Sequence, residues 1–247
     1  MKSTIIIPAR YGSSRYKGKP LVKILGREMI LRVADICSKA VSKKNLYIAT
    51  DNKKIANLIT KENLNVVMTS SKCLTGTDRV AEAAKKIKSN IYVNVQGDEP
   101  TINPKDIKKI IKAKIKYPNH VICGYDMIPN SENPSDINFP KVVINKNDEL
   151  IYISRSLVPG VKTKKKGIKY FRQVCIYAFN KRQLDIFYKK KKKSYIESLE
   201  DIEILRFFEH DIKIKMIRLY SSSVAVDIPE DVKRAERYIK KNFILEK

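Results

Sequence analysis

The 247-residue chain has no apolar run approaching the roughly 18 residues a membrane span needs, so no membrane insertion is expected. Its opening, Met1-Lys2-Ser3-Thr4 followed by three isoleucines and a proline, has no room for a signal-peptide apolar core, and the expected compartment is the cytoplasm. Cysteine is sparse: four residues, at 37, 73, 123 and 175, with no C-x-x-C among them. That spacing speaks against a zinc site, and thiols in a reducing compartment are expected unpaired. No internal repeat and no flexible linker interrupts the chain, so one domain spanning 1–247 is expected, large enough to bury a sizeable core.

Acidic residues are few, 26 Asp+Glu against 51 Lys+Arg, which leaves a net charge of +25. One reading of this excess is nucleic-acid binding. The other is a lysine-heavy solvated surface, and the run "KKKKK" at 189–193, set between helical segments like a solvated turn, favours it. No specific nucleic-acid partner is therefore expected, although such a surface attracts phosphorylated small molecules.

Two phosphate-binding signatures are also missing. The stretch "IIIPARYGSSRYKGKPLVKILG", residues 5–26, lacks both the Gly-x-x-x-x-Gly-Lys-Ser/Thr of a P-loop and the Gly-x-Gly-x-x-Gly of a dinucleotide fold. What it does have is a buried strand broken at Pro8 and then a loop with Arg10, Arg15 and Lys19, spaced so that a curve turns several cations toward one point. Small residues such as Ala9, Gly12 and Ser13 let the backbone approach a ligand and offer N–H groups. This suits a triphosphate, with arginines orienting it and lysine supplying a compact charge. The alternative is a surface loop with solvated basic residues.

The first 130 residues alternate between strands and helices. Strands are predicted at 4–7, 45–51, 65–69 and 90–100. Helices are predicted at 29–40, 53–61, 77–87 and 104–115, the last with proline near its start. Such alternation implies an α/β fold: a mostly parallel sheet with helices on both faces. Farther on, "FPKVVINKNDELIYISRS" at 139–156 reads as a hairpin around "NKND", and 169–180 as a strong strand. "SLEDIEILRFFEH" at 198–210 reads as one helix with a serine N-cap, with Ile202, Leu205 and Phe208 at helical spacing. "IKIKMI" reads as a strand, and Pro229 opens a last helix. The region near 125–200 is expected to form a strand-rich lobe over the sheet.

Ligands of open α/β sheets sit at the carboxyl ends of the strands. Three polar clusters are expected there: the loop after Ile7, "QGDEP" after Val95, and Asp227 after Val226. Asp98 can coordinate Mg²⁺ while water and phosphate oxygens complete the shell. Asp227 is the candidate second carboxylate, though "VDIPED" is also a plain helix-start signal.

Together "PARYGSSRYKGKPL", "TGTDR" at 75–79, "NVQGDEP" at 94–100, "SRSLVP" at 154–159 and "VDIPEDVKRAE" at 226–236 resemble the cytidylyltransferases that activate sugar acids. Within these the chain is most similar to the 3-deoxy-manno-octulosonate (Kdo) cytidylyltransferase family, the CMP-Kdo synthetases. The related acylneuraminate enzymes usually have Asn where "GKP" has Pro20. The resemblance covers nearly the whole chain and implies a nucleotide-diphospho-sugar transferase-like fold whose strand-rich lobe serves sugar and dimer contacts. It also implies a Mg²⁺-dependent reaction of CTP with a keto-sugar acid, giving CMP-sugar and pyrophosphate, in a cytoplasmic homodimer that supplies lipopolysaccharide assembly. By the same resemblance, Ala9, Arg10, Ser13, Arg15 and Lys19 hold the triphosphate, with Gly76 and Arg79 near cytosine or ribose. Asp98 and Asp227 hold the metal, and Gln96, Arg155, Tyr177 and Glu203 line the sugar side. Lys19, Arg10 and Asp98 are the candidate catalytic residues.

Departures from the family pattern fall on the sugar side. Where the family usually has Arg-His-Leu-Gly-Ile-Tyr, this chain has "RQVCIY" at 172–177, so Gln173 replaces a sugar-contacting His and Cys175 a Gly. Ile204 replaces a Gln, either facing the sugar or packing its helix. These changes are consistent with drift within a Kdo enzyme, or with a different acid: amino-Kdo-like, nonulosonic, or smaller and less hydroxylated. A non-catalytic CTP-binding homologue is disfavoured because Lys19, Asp98 and Asp227 are retained.

Overall fold

Three consecutive isoleucines show how the core is divided. Ile5 and Ile7 belong to one apolar cluster and Ile6 to another, because successive side chains of a strand leave opposite faces. They lie on β1 (Ser3–Ala9). The computed structural model describes residues 1–12, 15–163, 167–189, 192–219 and 223–243.

After β1 come a two-stranded ribbon, β2 (Lys23–Ile24) with β3 (Arg27–Glu28), and then α1 (Met29–Ser38), β4 (Leu46–Thr50), α2 (Lys53–Lys61), β5 (Asn65–Met68), α3 (Gly76–Ala83), β6 (Ile91–Val95), α4 (Pro104–Lys116) and β7 (Val121–Met127). The predicted elements of this half are all present. Their caps are local: Asn52 accepts from Lys54 N and Ile55 N, and Asn103 from Lys105 N. The hairpin follows as β8 (Lys141–Ile144) and β9 (Leu150–Ser154), turning through Asp148 at φ 52°. Then come β10 (Phe171–Phe179), α5 (Lys181–Lys189), α6 (Tyr195–Glu200), a 3₁₀ helix at Glu203–His210, β11 (Ile214–Arg218) and α7 (Pro229–Phe243).

The main sheet has the order β11-β7-β10-β6-β1-β4-β5. Strand β1 pairs in parallel with both β4 and β6, and β4 with β5. Strand β10 is the reversed one, antiparallel to β6 and to β7. The chain leaves β7, makes the β8–β9 hairpin and re-enters the sheet from the far end. This corrects the expected lobe: Phe171–Phe179 is an inner strand of the main sheet, with Tyr177 and Phe179 in one cluster and Ile176 and Ala178 in the other. Helices α1, α2 and α4 cover one face, while α3, α5 and the 3₁₀ helix cover the other. Helix α7 packs Ala235 and Ile239 on Ile24 and Met29.

The single helix expected at 198–210 is in fact two pieces. Helix α6 starts after Ser194, not Ser198, and ends at Asp201, which takes φ 50°. The reason is burial: Ile202, Ile204, Leu205 and Phe207 are all at most 4% exposed, a wider arc than one α-helical stripe. Tighter 3₁₀ winding aligns residues three apart and turns both pairs inward. Among the described residues, no helix is long and apolar enough to cross a membrane.

Candidate active site

From β1 the chain crosses by α1 to β4 and on to β5, and later returns to place β6 on the other side of β1. This reversal opens a crevice at the carboxyl ends of β1 and β6, the position where open α/β sheets bind ligands. A cleft of about 250 Å³ lies there, bordered by Pro8, Ala9 and Arg10 from β1 and its loop and by Gln96, Gly97 and Asp98 after β6.

The basic loop closes on itself. Gly18 N donates to Tyr11 O at 2.9 Å, and Gly18 takes φ 73°, a left-handed conformation that suits glycine. A 3₁₀ turn, Lys19–Leu21, follows, with Pro20 as its second residue. Lys19 is thereby directed under the loop, its side chain 11% exposed. Its Nζ lies 2.8 Å from Asp98 Oδ2 and 3.1 Å from Asp227 Oδ1. Burial drags the ammonium's pKa down, but the charges and hydrogen bonds of the two carboxylates outweigh it, and the group titrates above its ordinary value. Arg15 Nη2 also meets Asp227 Oδ1, at 2.9 Å. Arg10 is exposed at the mouth of the cleft. Ser13 lies outside the described residues.

Asp227 does not end a strand of the sheet, contrary to expectation. Val226 is buried against Ile24 and Met29, and its N–H donates to Asp98 O at 2.9 Å, which fastens the segment beside β6. The helix-start function of "VDIPED" falls to Asp231, whose Oδ2 accepts from Asp227 N and Ile228 N. Asp227 is left to pair with Arg15 and Lys19, which line the cleft.

The start of α3 borders the cleft. Thr75 and Asp78 form a reciprocal capping box. A Cβ on Gly76 would stand 3.0 Å from the Gln96 amide and 3.3 Å from Pro8 Cγ, so this helix starts tight against the strand ends. Arg79 lines the cleft but is 3% exposed, held by Thr69 Oγ1 at 2.6 Å and Asp51 Oδ2 at 3.1 Å. Cys73 also lines the cleft. Burial, with the Glu82 hydrogen bond adding to it, pushes its thiol up to about 12, so it is no nucleophile at neutral pH. All four cysteines are free thiols.

Glu203 and the α6 segment also border the cleft. Glu203 accepts from Thr77 N at 2.9 Å and from Gln96 Nε2 at 3.0 Å, and burial raises its carboxyl against these hydrogen bonds. Lys193, Glu197 and Asp201 stand beside it, and the sequence reading had none of them at the site. The lysine run was expected to be a solvated turn. Residues 190 and 191 lie outside the described residues, but Lys193 borders the cleft and pairs with Asp201 at 2.5 Å. The one available signal was the Ser194-x-x-Glu197 pattern, which marks a helix start just after the run.

The expected sugar side is only half assembled. Gln96 and Glu203 line the cleft; Arg155, Gln173 and Tyr177 do not. Arg155 donates to the carbonyls of Ile137, Glu200 and Asp201, tying the end of β9 to α6. Gln173 Nε2 points to Cys123 Sγ at 3.7 Å. Tyr177 is 2% exposed, packed in the core with its ring beside Phe179. Ile204 is fully buried and packs in the core, which settles the choice left open for it.

Two carboxylates and a lysine thus meet at the switch point, beneath a basic loop. Residues 4–214 match the Cytidylyltransferase family, and the chain belongs to it. It is 37% identical over 243 residues, covering 96% of each chain, to the 3-deoxy-manno-octulosonate cytidylyltransferase of Desulfosudis oleivorans. It is 36% identical over 247 residues to the 8-amino-3,8-dideoxy-manno-octulosonate cytidylyltransferase of Shewanella putrefaciens, covering 96% of this chain and 98% of the relative. Among solved structures it is similar to CMP:2-keto-3-deoxy-manno-octonic acid synthetase complexed with CTP. The TM-score is 0.88 at 30% identity, over 98% of this chain and 100% of that one.

Proposed function

We propose that the chain transfers CMP from CTP to a keto-sugar acid, Kdo foremost, and releases pyrophosphate, acting in the cytoplasm with Mg²⁺. The observation that carries this reading is the convergence of Asp98 and Asp227 on Lys19 beneath the basic loop. Arg10, Arg15 and Lys19 receive the triphosphate, and the start of α3 with Arg79 receives the nucleoside. The sugar acid enters beside Gln96 and Glu203. Its anomeric hydroxyl forms the new O–P bond at the α-phosphorus as the bond to the β-phosphate oxygen breaks, so positioning and electrostatics dominate. Lys19 neutralises charge gathering on the phosphate oxygens.

The carboxylates fit a magnesium ion. Their oxygens already converge on one cation, the Lys19 ammonium, and they are the hard donors this metal takes. Among the described residues no group of three or more His, Cys, Asp or Glu could hold a metal, so substrate phosphates and water would complete the shell. When bound, the ion supplies charge neutralisation at the reacting phosphate.

A homodimer is part of this reading. Exposed Ile137, Ile151, Leu157, Val161 and Ile168 gather between 137 and 168, in the lobe beyond β7. Sedimentation should give twice the chain mass, and a monomer at micromolar concentration would rule the homodimer out.

The test is pyrophosphate release from CTP with Mg²⁺ across Kdo, 8-amino-3,8-dideoxy-manno-octulosonate and an acylneuraminate. Kdo is expected to give the highest kcat/KM, and Asp98→Asn to lower turnover by orders of magnitude without loss of fold. Absence of pyrophosphate release with every acid sinks the reading.

A further inference from the structure

Arg206 takes no part in the chemistry above, yet it is among the most deeply buried charges of the chain, its side chain 2% exposed. Its guanidinium holds two carboxylates at once. Nε and Nη2 donate to Glu197 Oε2 and Oε1 at 2.6 and 2.7 Å. Nη1 and Nη2 donate to Asp78 Oδ1 and Oδ2 at 2.8 and 3.3 Å. Its remaining face lies over the Phe187 ring, 3.8 Å from the centroid.

The two carboxylates hold the same place in different helices. Asp78 is the third residue of α3 and accepts from Thr75 N at 3.0 Å. Glu197 is the third residue of α6 and accepts from Ser194 N at 3.0 Å. The start of α3 brings Thr75, Gly76 and Arg79 to the cleft lining, and the start of α6 brings Lys193 and Glu197. Arg206 thus clamps the starts of both helices together. Three residues earlier on its own 3₁₀ helix, Glu203 binds Thr77 N and the Gln96 amide.

We propose that Arg206 is a positioning residue that fixes the start of α3, which receives the nucleoside, against the start of α6 and the 3₁₀ helix that carries Glu203 to the sugar acid, so that occupancy of one subsite changes the affinity of the other. In its functional half the proposal rests on the nucleotidyl-transfer reading above. A buried Arg between two acids is weak evidence for a stabilising role, since apolar side chains of similar volume often serve as well. The planar fork has the geometry to grip two carboxylates at fixed angles, and the single ammonium of lysine lacks it. Because the reacting atoms must lie within a few tenths of an ångström of their productive placement, loosening this clamp acts on turnover more than on either substrate's binding.

The experiment uses Arg206→Lys and Asp78→Asn. The first keeps the charge and loses the fork. The second keeps the Arg206–Glu197 pair and loses the charge on the α3 side. Three quantities are read: amide hydrogen exchange at 75–77 and 195–197, kcat with both KM values, and the ratio of sugar-acid Kd without and with CMP by calorimetry. Both variants are expected to fold, to exchange faster at both helix starts, and to lose about 10- to 100-fold in kcat while each KM moves by about threefold or less. The Kd ratio should move toward 1. The proposal is overturned if a folded variant keeps kcat and the Kd ratio, if activity falls only in proportion to unfolded protein, or if neither variant folds. Hydrogen exchange needs no substrate. An enzyme inactive on every acid but with faster exchange at both starts in the variants would fail the proposed function and still support the clamp.

Discussion

The ammonium of Lys19 stands 2.8 Å from Asp98 Oδ2, although 79 residues separate them in the chain. The same ammonium also meets Asp227, so one charge serves two acids. Lys19→Met should lower kcat by about 10²- to 10³-fold, the loss seen when a preorganised charge is removed from a transition state. Sugar-acid KM should change far less. Single-turnover kinetics checks this, and a change confined to the sugar-acid KM would assign Lys19 to the other subsite.

Gly97 joins β6 to Asp98 where no side chain fits. An added Cβ would stand 2.9 Å from Pro8 O, a backbone atom that cannot swing away. Gly97→Ala must therefore part the ends of β1 and β6 and shift Asp98. A stability cost of about 1–3 kcal/mol is expected. Turnover should fall beyond what the lost stability explains, which thermal unfolding and kcat on the same preparation will separate.

Ile204 looked like a residue that could choose the sugar. It is fully buried in the core, so Ile204→Gln places an unpaired amide there at a cost of about 1–3 kcal/mol. The ratio of kcat/KM for Kdo to that for its 8-amino analogue should stay within about twofold of wild type. A large shift of that ratio at unchanged stability would return Ile204 to the sugar pocket.

Lys114, 2% exposed at the end of α4, donates to the carbonyls of Pro118 and His120 and to Gln183 Oε1. Burial pulls its pKa from 10.5 to about 7. Between those values the unfolded lysine holds a proton that the folded one has released, so this group's contribution to stability rises with pH across that window. Below it the full cost of the buried charge is present. Lys114→Met should abolish the rise, read as the wild-type-minus-variant difference in unfolding free energy from pH 7 to 10. Its kcat should be unaltered within about twofold.

Much of the scaffold was legible because its signals are local. The short apolar run of β1, 3.6-residue periodicity in α1 to α4, and caps such as Asn52 need only neighbours in the chain. The basic loop and "QGDEP" were legible as site elements for the same reason: residue type, spacing and a preceding strand identify them. The reversed strand β10 was not, since its strand pattern is the same whichever way it runs. Nor was the true break at Asp201, where a wide buried arc overrode α-helical propensity.

By itself, the sequence determined the α/β alternation, the cation-rich loop and the carboxylates available to it, because hydrophobic period and side-chain chemistry are properties of short segments. Tertiary structure alone decided which charges meet. Lys19 reaches Asp227 across 208 residues and Arg206 reaches Asp78 across 128. Gln173 and Tyr177 turn to protein partners, and Lys193 leaves an apparently solvated run for the cleft wall. Such pairings depend on sheet order and on where helices start against one another, and a one-dimensional pattern carries neither.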